Sequence, residues 1–202
     1  MSPPRLRLPS RTPRREEAPR VLFIDPAARC VACARGAEVL ELTGNASTLR
    51  DAVAITDALH PNAFVLARPP LDAGEVETLH ALRARAPGAH AVVLSPHRSP
   101  GTLVDSVVAG AGAYLPLDVS LESLLDAIGA VAAGGVAFDP WSARVLLERF
   151  GRGHLEDASG LLTEEERAGL SALASSEAAG SPAARRAARA CARIRETAFA
   201  SA

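Results

Sequence analysis

The chain has 202 residues and a formal net charge of −1, so its overall charge indicates no class of binding partner. It is 48% hydrophobic but only 3% aromatic, which predicts a sizeable core with lightly packed, alanine-rich helices. All 22 basic residues are arginine, which excludes any mechanism that needs a lysine amine.

The first 19 residues are rich in Arg, Pro and Ser and lack hydrophobic periodicity, so we predict a disordered tail over residues 1–19. No apolar segment follows these arginines, as a secretory signal would require. A run of about 18 apolar residues, the minimum for a transmembrane helix, is also missing from the sequence. We therefore expect a cytoplasmic protein without a membrane partner.

From residue 20 onward, short apolar runs alternate with segments of helical periodicity. The predicted strands cover residues 20–25, 38–43, 63–67, 89–95 and 113–115. The predicted helices cover residues 26–36, 47–59, 72–86, 101–110 and 120–133. This alternation predicts an α/β fold with a five-stranded parallel, doubly wound sheet of the flavodoxin/CheY-like type. No G-x-G-x-x-G sequence opens the first helix, which argues against a dinucleotide site.

Helix-capping residues locate several of these boundaries. Asn45 and Ser47 are candidate caps for the second helix, and Ser120 is the candidate cap for the fifth. Thr163 and Glu166 have the spacing of a capping box.

Beyond residue 136 the pattern becomes entirely helical. A helix is predicted to begin within residues 138–141, and Ser181 and Pro182 predict the start of the last helix. We therefore predict a sheet domain over residues 20–136, a helix and linker over 137–160, and a small all-α segment over 161–202.

Five stretches of the sequence carry a family resemblance. They are VLFIDP (21–26), HPNAFVLARPP (60–70), VVLSP (92–96), AGAGAYLPLDVSLESLLDAIGAVAAGG (109–135) and LTEEERAGLSAL (162–173). The first four resemble the receiver domain of bacterial response regulators of the NarL/LuxR type, over about residues 20–143. The last resembles the opening of the LuxR-type helix-turn-helix DNA-binding domain. The resemblance implies a regulator that is switched by phosphorylation of an aspartate and binds DNA.

The phosphate chemistry of that family needs a nucleophilic aspartate and two further carboxylates that hold Mg²⁺. In this sequence Asp25 matches the first acid, but Pro26 fills the second acidic position and Ala67 stands where the nucleophile is expected. Asp72 lies five residues further on and is no obvious substitute. We therefore expect no phosphoacceptor, no metal and no cofactor. Alternatively, Asp25 serves as a helix cap before Pro26.

The family also uses a lysine that pairs with the acyl phosphate and two switch residues that respond to it. Leu117 stands at the lysine position, or Pro116 does if the register slips by one residue. Ser95 and Tyr114 match the hydroxyl and aromatic switch positions. The other interpretation of Ser95 is a hydroxyl satisfied by the backbone, and that of Tyr114 is core or interface packing. The residue types indicate a degenerate receiver, or pseudo-receiver.

Three cysteines are present, and Cys30 and Cys33 have C-x-x-C spacing. That spacing is found in redox pairs and in half of a zinc site, but no second pair exists to complete such a site. Both cysteines fall within a predicted helix, where they are also expected as small apolar residues.

The last segment carries a basic stripe, defined here as Arg185, Arg186, Arg189 and Arg193. These arginines are candidates for contact with DNA phosphates, and a solvated basic helix is the alternative. Residues 162–202 are too few for the four helices of a LuxR-type domain, so we expect a truncated or degenerate version.

These features favour a phosphorylation-independent regulator that acts in transcription and uses its receiver-like domain for homodimerisation or partner binding. The resemblance implies a dimer surface on the fourth helix, fifth strand and fifth helix. The alternative is an interaction module that does not bind DNA and that scaffolds or sequesters another regulator. An enzyme is not expected, because no nucleophile–base pair or metal cluster can be assembled from the sequence.

Overall fold

The computed structural model describes residues 18–67, 73–151, 162–175 and 182–200, and a single parallel sheet lies at its centre. The strands are β1 (Arg20–Ile24), β2 (Glu41–Ala46), β3 (Ala63–Ala67), β4 (His90–Ser95), β5 (Ala111–Pro116) and β6 (Ala137–Phe138). The helices are α1 (Arg29–Ala34), α2 (Leu49–Leu59), α3 (Ala73–Arg85), α4 (Pro100–Ala109), α5 (Leu121–Ala132), α6 (Pro140–Phe150), α7 (Glu164–Ala174) and α8 (Pro182–Ala200). The strand order β2-β1-β3-β4-β5-β6 confirms the predicted α/β class.

Helices cover the sheet on both faces because its central strands are apolar on both sides. All five residues of β3 are buried, and only the first residue of β1 and of β4 is partly exposed. Phe23 and Val65 belong to a core shared with α1 and α5. Leu22 and Phe64 belong to the opposite core, which includes residues of α2, α3 and α4.

The sheet has six strands, whereas the sequence predicted five. The additional strand, β6, pairs in parallel with β5 through Ala113 with Ala137 and Tyr114 with Phe138. A two-residue strand shows no periodicity that could be recognised in a sequence. It forms because both of its apolar side chains are buried beside β5. The predicted boundary after residue 136 therefore falls within the sheet.

The second strand lies three residues later than predicted, at Glu41–Ala46 instead of 38–43. Asn45 explains the shift, because its Nδ2 donates a hydrogen bond to the backbone oxygen of Asp25 at 3.1 Å. This contact holds the end of β2 beside the end of β1. Asn45 therefore lies in the strand and is not a helix cap.

The helix caps are partly as predicted. Thr48 caps α2 by accepting a hydrogen bond from Asp51 N at 3.1 Å, so neither predicted residue does so. Ser120 caps α5, and the capping box of Thr163 and Glu166 is present in both directions, which confirms these two predictions. The last helix begins at the predicted proline.

The C-terminal helices pack onto the sheet domain. Leu146 of α6, Leu170 of α7 and Ile194 of α8 belong to the same apolar core as Leu22 and Phe64. α8 contacts both α7 and α4. Two elements of the expected dimer surface have neighbours within the chain, since α8 contacts α4 and β6 pairs with β5.

Some of the predicted features lie outside the described residues. These are most of the N-terminal tail, nearly all of the linker before α7, Asp72 and Ser181. Within the described ranges, no helix combines the length and the apolar composition needed to cross a bilayer.

The contact between α7 and α8 depends on Gly169. A Cβ atom at this position would lie 2.6 Å from Arg186 Cβ, 2.8 Å from Ala187 N and 3.0 Å from Ala183 O. Two of these three atoms belong to the backbone of α8, so the helices themselves would have to separate.

We expect Gly169→Ala to destabilise the protein by about 1–3 kcal/mol, because overpacking outweighs the gain in helix propensity. Gly129→Ala in α5 is the matched control, since a Cβ there would meet nothing within 4 Å. The control should gain up to about 1 kcal/mol from propensity alone. Chemical denaturation measures both values, and equal stability of the two variants would contradict this packing.

Candidate functional site

The carboxyl ends of the strands meet at one edge of the sheet, where ligands usually bind in this fold. The register of β1 on β3 places Asp25 next to Ala67 at adjacent strand ends. Leu117 follows β5, and its backbone N–H donates a hydrogen bond to Ser95 O at 3.0 Å. The structure thus brings together three predicted pocket positions, Asp25, Ala67 and Leu117. Pro26 is exposed in the adjoining turn.

These three side chains line a cavity of about 570 Å³ between α1 and the start of α5, which we call the carboxyl-edge pocket. Much of its wall is apolar, formed by residues that include Ala67, Leu94, Pro96, Leu117, Leu121 and Leu124. Its buried carboxylate is Asp25, which is 2% exposed. In the described parts of the chain, no three His, Cys, Asp or Glu side chains are arranged to hold a metal ion. The exposed side chains of Arg29 and Asp118 also line the pocket, so its wall combines a largely apolar surface with charged groups.

Asp25 has a structural role that its position at the strand end explains. Its Oδ2 accepts hydrogen bonds from Cys30 N at 2.7 Å and from Val31 N at 3.2 Å, in the first turn of α1. The residue at the N-cap position, Ala28, has no side-chain acceptor and adopts a left-handed conformation with φ of 53°. Asp25 therefore satisfies N–H groups that would otherwise lack a partner. This geometry agrees with the alternative interpretation of Asp25 as a cap.

Ser95 and Tyr114 bind the same backbone atom, the carbonyl oxygen of His97. The Ser95 hydroxyl donates to it at 2.8 Å and the Tyr114 hydroxyl at 2.9 Å. Tyr114 is 2% exposed, so its ring lies within the core. Both side chains thus fasten the loop between β4 and α4, and the adjacent Pro96, rather than Ser95, lines the pocket.

Further contacts hold this loop from the other side, and no pattern in the sequence indicates them. The Arg98 guanidinium lies 5.0 Å from the centre of the Trp141 ring and forms an ion pair with Asp139. The Trp141 ring in turn lies 6.4 Å from the Tyr114 ring. The loop is therefore tied to α6, a helix that only the tertiary structure places here.

The three cysteines lie in different surroundings. Cys30 is half-buried at the pocket wall, Cys33 is exposed and Cys191 is buried, and all three are free. Burial raises the pKa of the Cys30 thiol, and the nearby Asp25 and Cys33 raise it further. The protonated form is therefore favoured, whereas a redox cysteine needs the thiolate.

The four arginines of the basic stripe lie in unequal surroundings. Arg193 Nε donates to both carboxylate oxygens of Glu166, at 3.1 and 3.0 Å. Arg189 pairs with Glu165 at 3.3 Å. Arg186 is half-buried against α7, and Arg185 is exposed. Two of the four arginines are therefore already bound to the acidic first turn of α7.

Comparison with known proteins relates this chain to transcriptional regulators. No family model matches the sequence. It is 28% identical over 135 residues to the DNA-binding transcriptional activator DevR/DosR of Mycobacterium tuberculosis, covering 66% of this chain and 62% of that protein. It is 27% identical over 128 residues to the transcriptional regulatory protein MctR of Rhizobium johnstonii, covering 63% of this chain and 58% of that protein. The chain thus spans about three fifths of the length of these relatives.

Solved structures show the same fold. The signal receiver domain of the putative response regulator NarL from Mycobacterium tuberculosis matches with a TM-score of 0.51 and 19% identity, covering 58% of this chain and 98% of that one. A LuxR-family two-component response regulator from Aurantimonas matches with a TM-score of 0.55 and 18% identity, covering 67% of this chain and 99% of that one. The sheet and its helices therefore have the fold of a response-regulator receiver domain.

The ion pair between Arg193 and Glu166 should make stability depend on pH. Burial raises the pKa of Glu166, but hydrogen bonds from Thr163 and Arg193 outweigh burial and hold this pKa below its ordinary value. A lowered folded-state pKa stabilises the protein above the unfolded pKa of about 4.3, and this stabilisation is lost as pH falls through the folded-state pKa.

We expect Glu166→Gln to cost about 1 kcal/mol of unfolding free energy at neutral pH, since Arg193 is partly exposed. The cost should shrink once the pH falls below about 4. Urea denaturation of both proteins across this pH range is the measurement. A cost that stays constant with pH would show that the charge of Glu166 contributes nothing.

Proposed function

We propose that the chain is a response-regulator-like protein that acts in transcriptional regulation without aspartyl phosphorylation. The observation that carries this proposal is Ala67 at the end of β3, beside Asp25 in the carboxyl-edge pocket. An alanine methyl group cannot attack a phosphoryl group. Asp25 accepts two backbone hydrogen bonds and has no neighbouring carboxylate at the Pro26 position with which to hold Mg²⁺.

The loop between β4 and α4 supports the same proposal. In the family that the sequence resembles, a hydroxyl and an aromatic residue respond to the phosphate. Here Ser95 and Tyr114 are both engaged by His97 O, and Arg98 and Trp141 hold the loop from outside. These contacts are sufficient to order the loop without a bound phosphate.

The receiver-like domain would then act through dimerisation or partner binding, and the C-terminal helices would contact DNA or a DNA-binding partner. The exposed Arg185 and the weakly paired Arg189 support phosphate contact by α8. The similarity to DNA-binding relatives supports the transcriptional part of the proposal.

A second candidate is an interaction module that scaffolds or sequesters another regulator and does not bind DNA. The pairing of Arg189 and Arg193 with Glu165 and Glu166 favours it, because ion-paired arginines are less available to phosphates. The burial of one face of α8 against α7 and α4 also favours it. DNA binding separates the two candidates.

We expect a small acyl-phosphate donor with Mg²⁺ to leave the intact mass of the protein unchanged, because Ala67 offers no nucleophile. A variant carrying Pro26→Asp, Ala67→Asp and Leu117→Lys restores the residue types that the chemistry needs and serves as the positive control. Intact-mass spectrometry measures the mass of both proteins before and after incubation with the donor. A gain of one phosphoryl group on the parent, mapped to Asp25 or Asp72, would overturn the proposal.

We expect a mobility shift of duplex DNA at low salt that weakens steeply as salt rises, since α8 offers phosphate contacts without a clear means of reading bases. The logarithm of the DNA association constant falls linearly with the logarithm of the salt concentration. Replacing Arg185 and Arg189 by Gln should make this slope shallower by about two. The matched control replaces Arg50 and Arg144, two exposed arginines on other helices. The absence of any shift at low salt would reject the first candidate and favour the interaction module.

A further inference from the structure

The opposite, amino edge of the sheet holds a second cavity, of about 230 Å³, between α8 and the strands. His90 at the start of β4 and the turn at Gly134 and Gly135 line one side, and Arg185, Arg189 and Arg195 of α8 line the other. A neighbouring depression of about 490 Å³ shares Arg185 and Arg189. We call the smaller space the amino-edge cavity.

Basic side chains converge behind this cavity. Arg83 lies against the start of β5, where a Cβ atom at Gly110 would be 2.5 Å from its guanidinium Nη1. Burial lowers the pKa of Arg83, and the charge of Arg195 lowers it further. Burial also lowers the pKa of His90, and the positive charges of Arg83 and Arg195 lower it further. These groups therefore lie close enough to repel one another.

In the part of the chain that the structure describes, carboxylates balance some of this charge, since Glu165 pairs with Arg189 of the cavity wall. Among the described residues, neither Arg83 nor Arg195 forms an ion pair, and the Nε atom of Arg83 is buried without a hydrogen-bond partner. Glu196 is a nearby carboxylate that favours the charged form of Arg195. Burial raises the pKa of the neighbouring Cys191 thiol to about 12, so it is neutral at physiological pH.

Several other described arginines have a carboxylate partner, whereas Arg186, like Arg83, has a buried Nε atom without a hydrogen-bond partner. Ion pairs join Arg85 to Asp57, Arg98 to Asp139, Arg189 to Glu165, and Arg193 to Glu166. Arg83 lies in the last turn of α3, where the helix dipole offsets about half a charge. Arg195 is not in the last turn of α8 and lacks that compensation. Arg83 and Arg195 therefore both contribute positive charge to the space between α3, β4 and α8.

We propose that the amino-edge cavity binds the phosphate group of a small molecule. Arginines favour phosphate because their planar N–H groups match its oxygens, and a doubly charged anion would relieve the repulsion between Arg83 and Arg195. A space of about 230 Å³ admits a phosphate group, and the adjoining depression has room for the rest of a small phosphate ester. This site lies across the sheet from the carboxyl-edge pocket and does not rest on the function proposed above.

The test measures thermal unfolding of the full chain with inorganic phosphate, pyrophosphate, a nucleoside monophosphate and a short DNA duplex, each against sodium chloride of equal ionic strength. We expect a saturable rise in the melting temperature with the phosphates, because a ligand bound only by the folded state stabilises it. Comparing the rise caused by inorganic phosphate with that caused by the nucleoside monophosphate shows whether the site prefers the free ion or a phosphate ester. Isothermal titration calorimetry then gives the affinity of the tighter ligand.

Two variants locate the site. Arg195→Gln should abolish the rise, while its melting temperature without phosphate stays equal to that of the parent or exceeds it, because a repulsive contact is removed. Arg185→Gln changes an exposed side chain that has little effect on folding, and it should weaken binding about tenfold. Arg144→Gln is the control for an exposed arginine far from the cavity and should bind like the parent.

Three results would overturn the proposal. One is an equal rise in melting temperature with chloride, which reports ionic strength alone. Another is unchanged binding in both Arg195→Gln and Arg185→Gln. The third is binding of the duplex without binding of any small phosphate, which would assign these arginines to nucleic acid.

Discussion

The close approach of α7 and α8 is the constraint on which the C-terminal half of the structure depends. Gly169 permits this approach, and the facing side of α8 is made of small residues such as Ala183, Ala187 and Cys191, all of them buried. Small side chains allow α8 to pack flat on α7 while it also contacts α4. As a result, the arginines of α8 are confined to its outer side and its flanks. A helix held in this way stabilises the sheet domain along one face. Only the remaining surface of α8 is therefore available to other molecules.

The carboxyl edge shows how the buried polar groups at the strand ends are satisfied without a ligand. A buried carboxylate without a metal ion needs hydrogen-bond donors, and Asp25 finds them in the first turn of α1. The hydroxyls of Ser95 and Tyr114 likewise find the carbonyl of His97. With Ala67 and Leu117 at the strand ends, the space between these groups is lined mainly by carbon atoms. The same fold thus supports an ordered pocket that needs no phosphate chemistry to be stable.

The two edges of the sheet carry opposite chemistry. The carboxyl edge is mainly apolar around the buried Asp25, although Arg29 and Asp118 also line its pocket. The amino edge instead places His90 and Arg195 in the wall of a smaller cavity, within electrostatic range of Arg83. In a parallel sheet with crossover helices, the amino ends of the strands lie near the carboxyl ends of helices, which favours cations there. The field of these helix dipoles explains why the charge of one half-buried arginine is tolerated there. It does not compensate the charge of a second arginine. The absence of lysine matters here as well, because arginine remains charged even when it is half-buried.

The sequence by itself determined the α/β class, the positions of most helices and strands, and the residue types at the strand ends, because these depend on local periodicity and on order along the chain. It also showed that Ala67 cannot be a nucleophile. Only the tertiary structure decided that a sixth strand covers β5, that α8 lies on α4, and that Arg193 binds Glu166. It likewise placed Arg83 within electrostatic range of Arg195. These features join residues far apart in sequence, and they form because a particular packing buries particular side chains, a condition that no local pattern records.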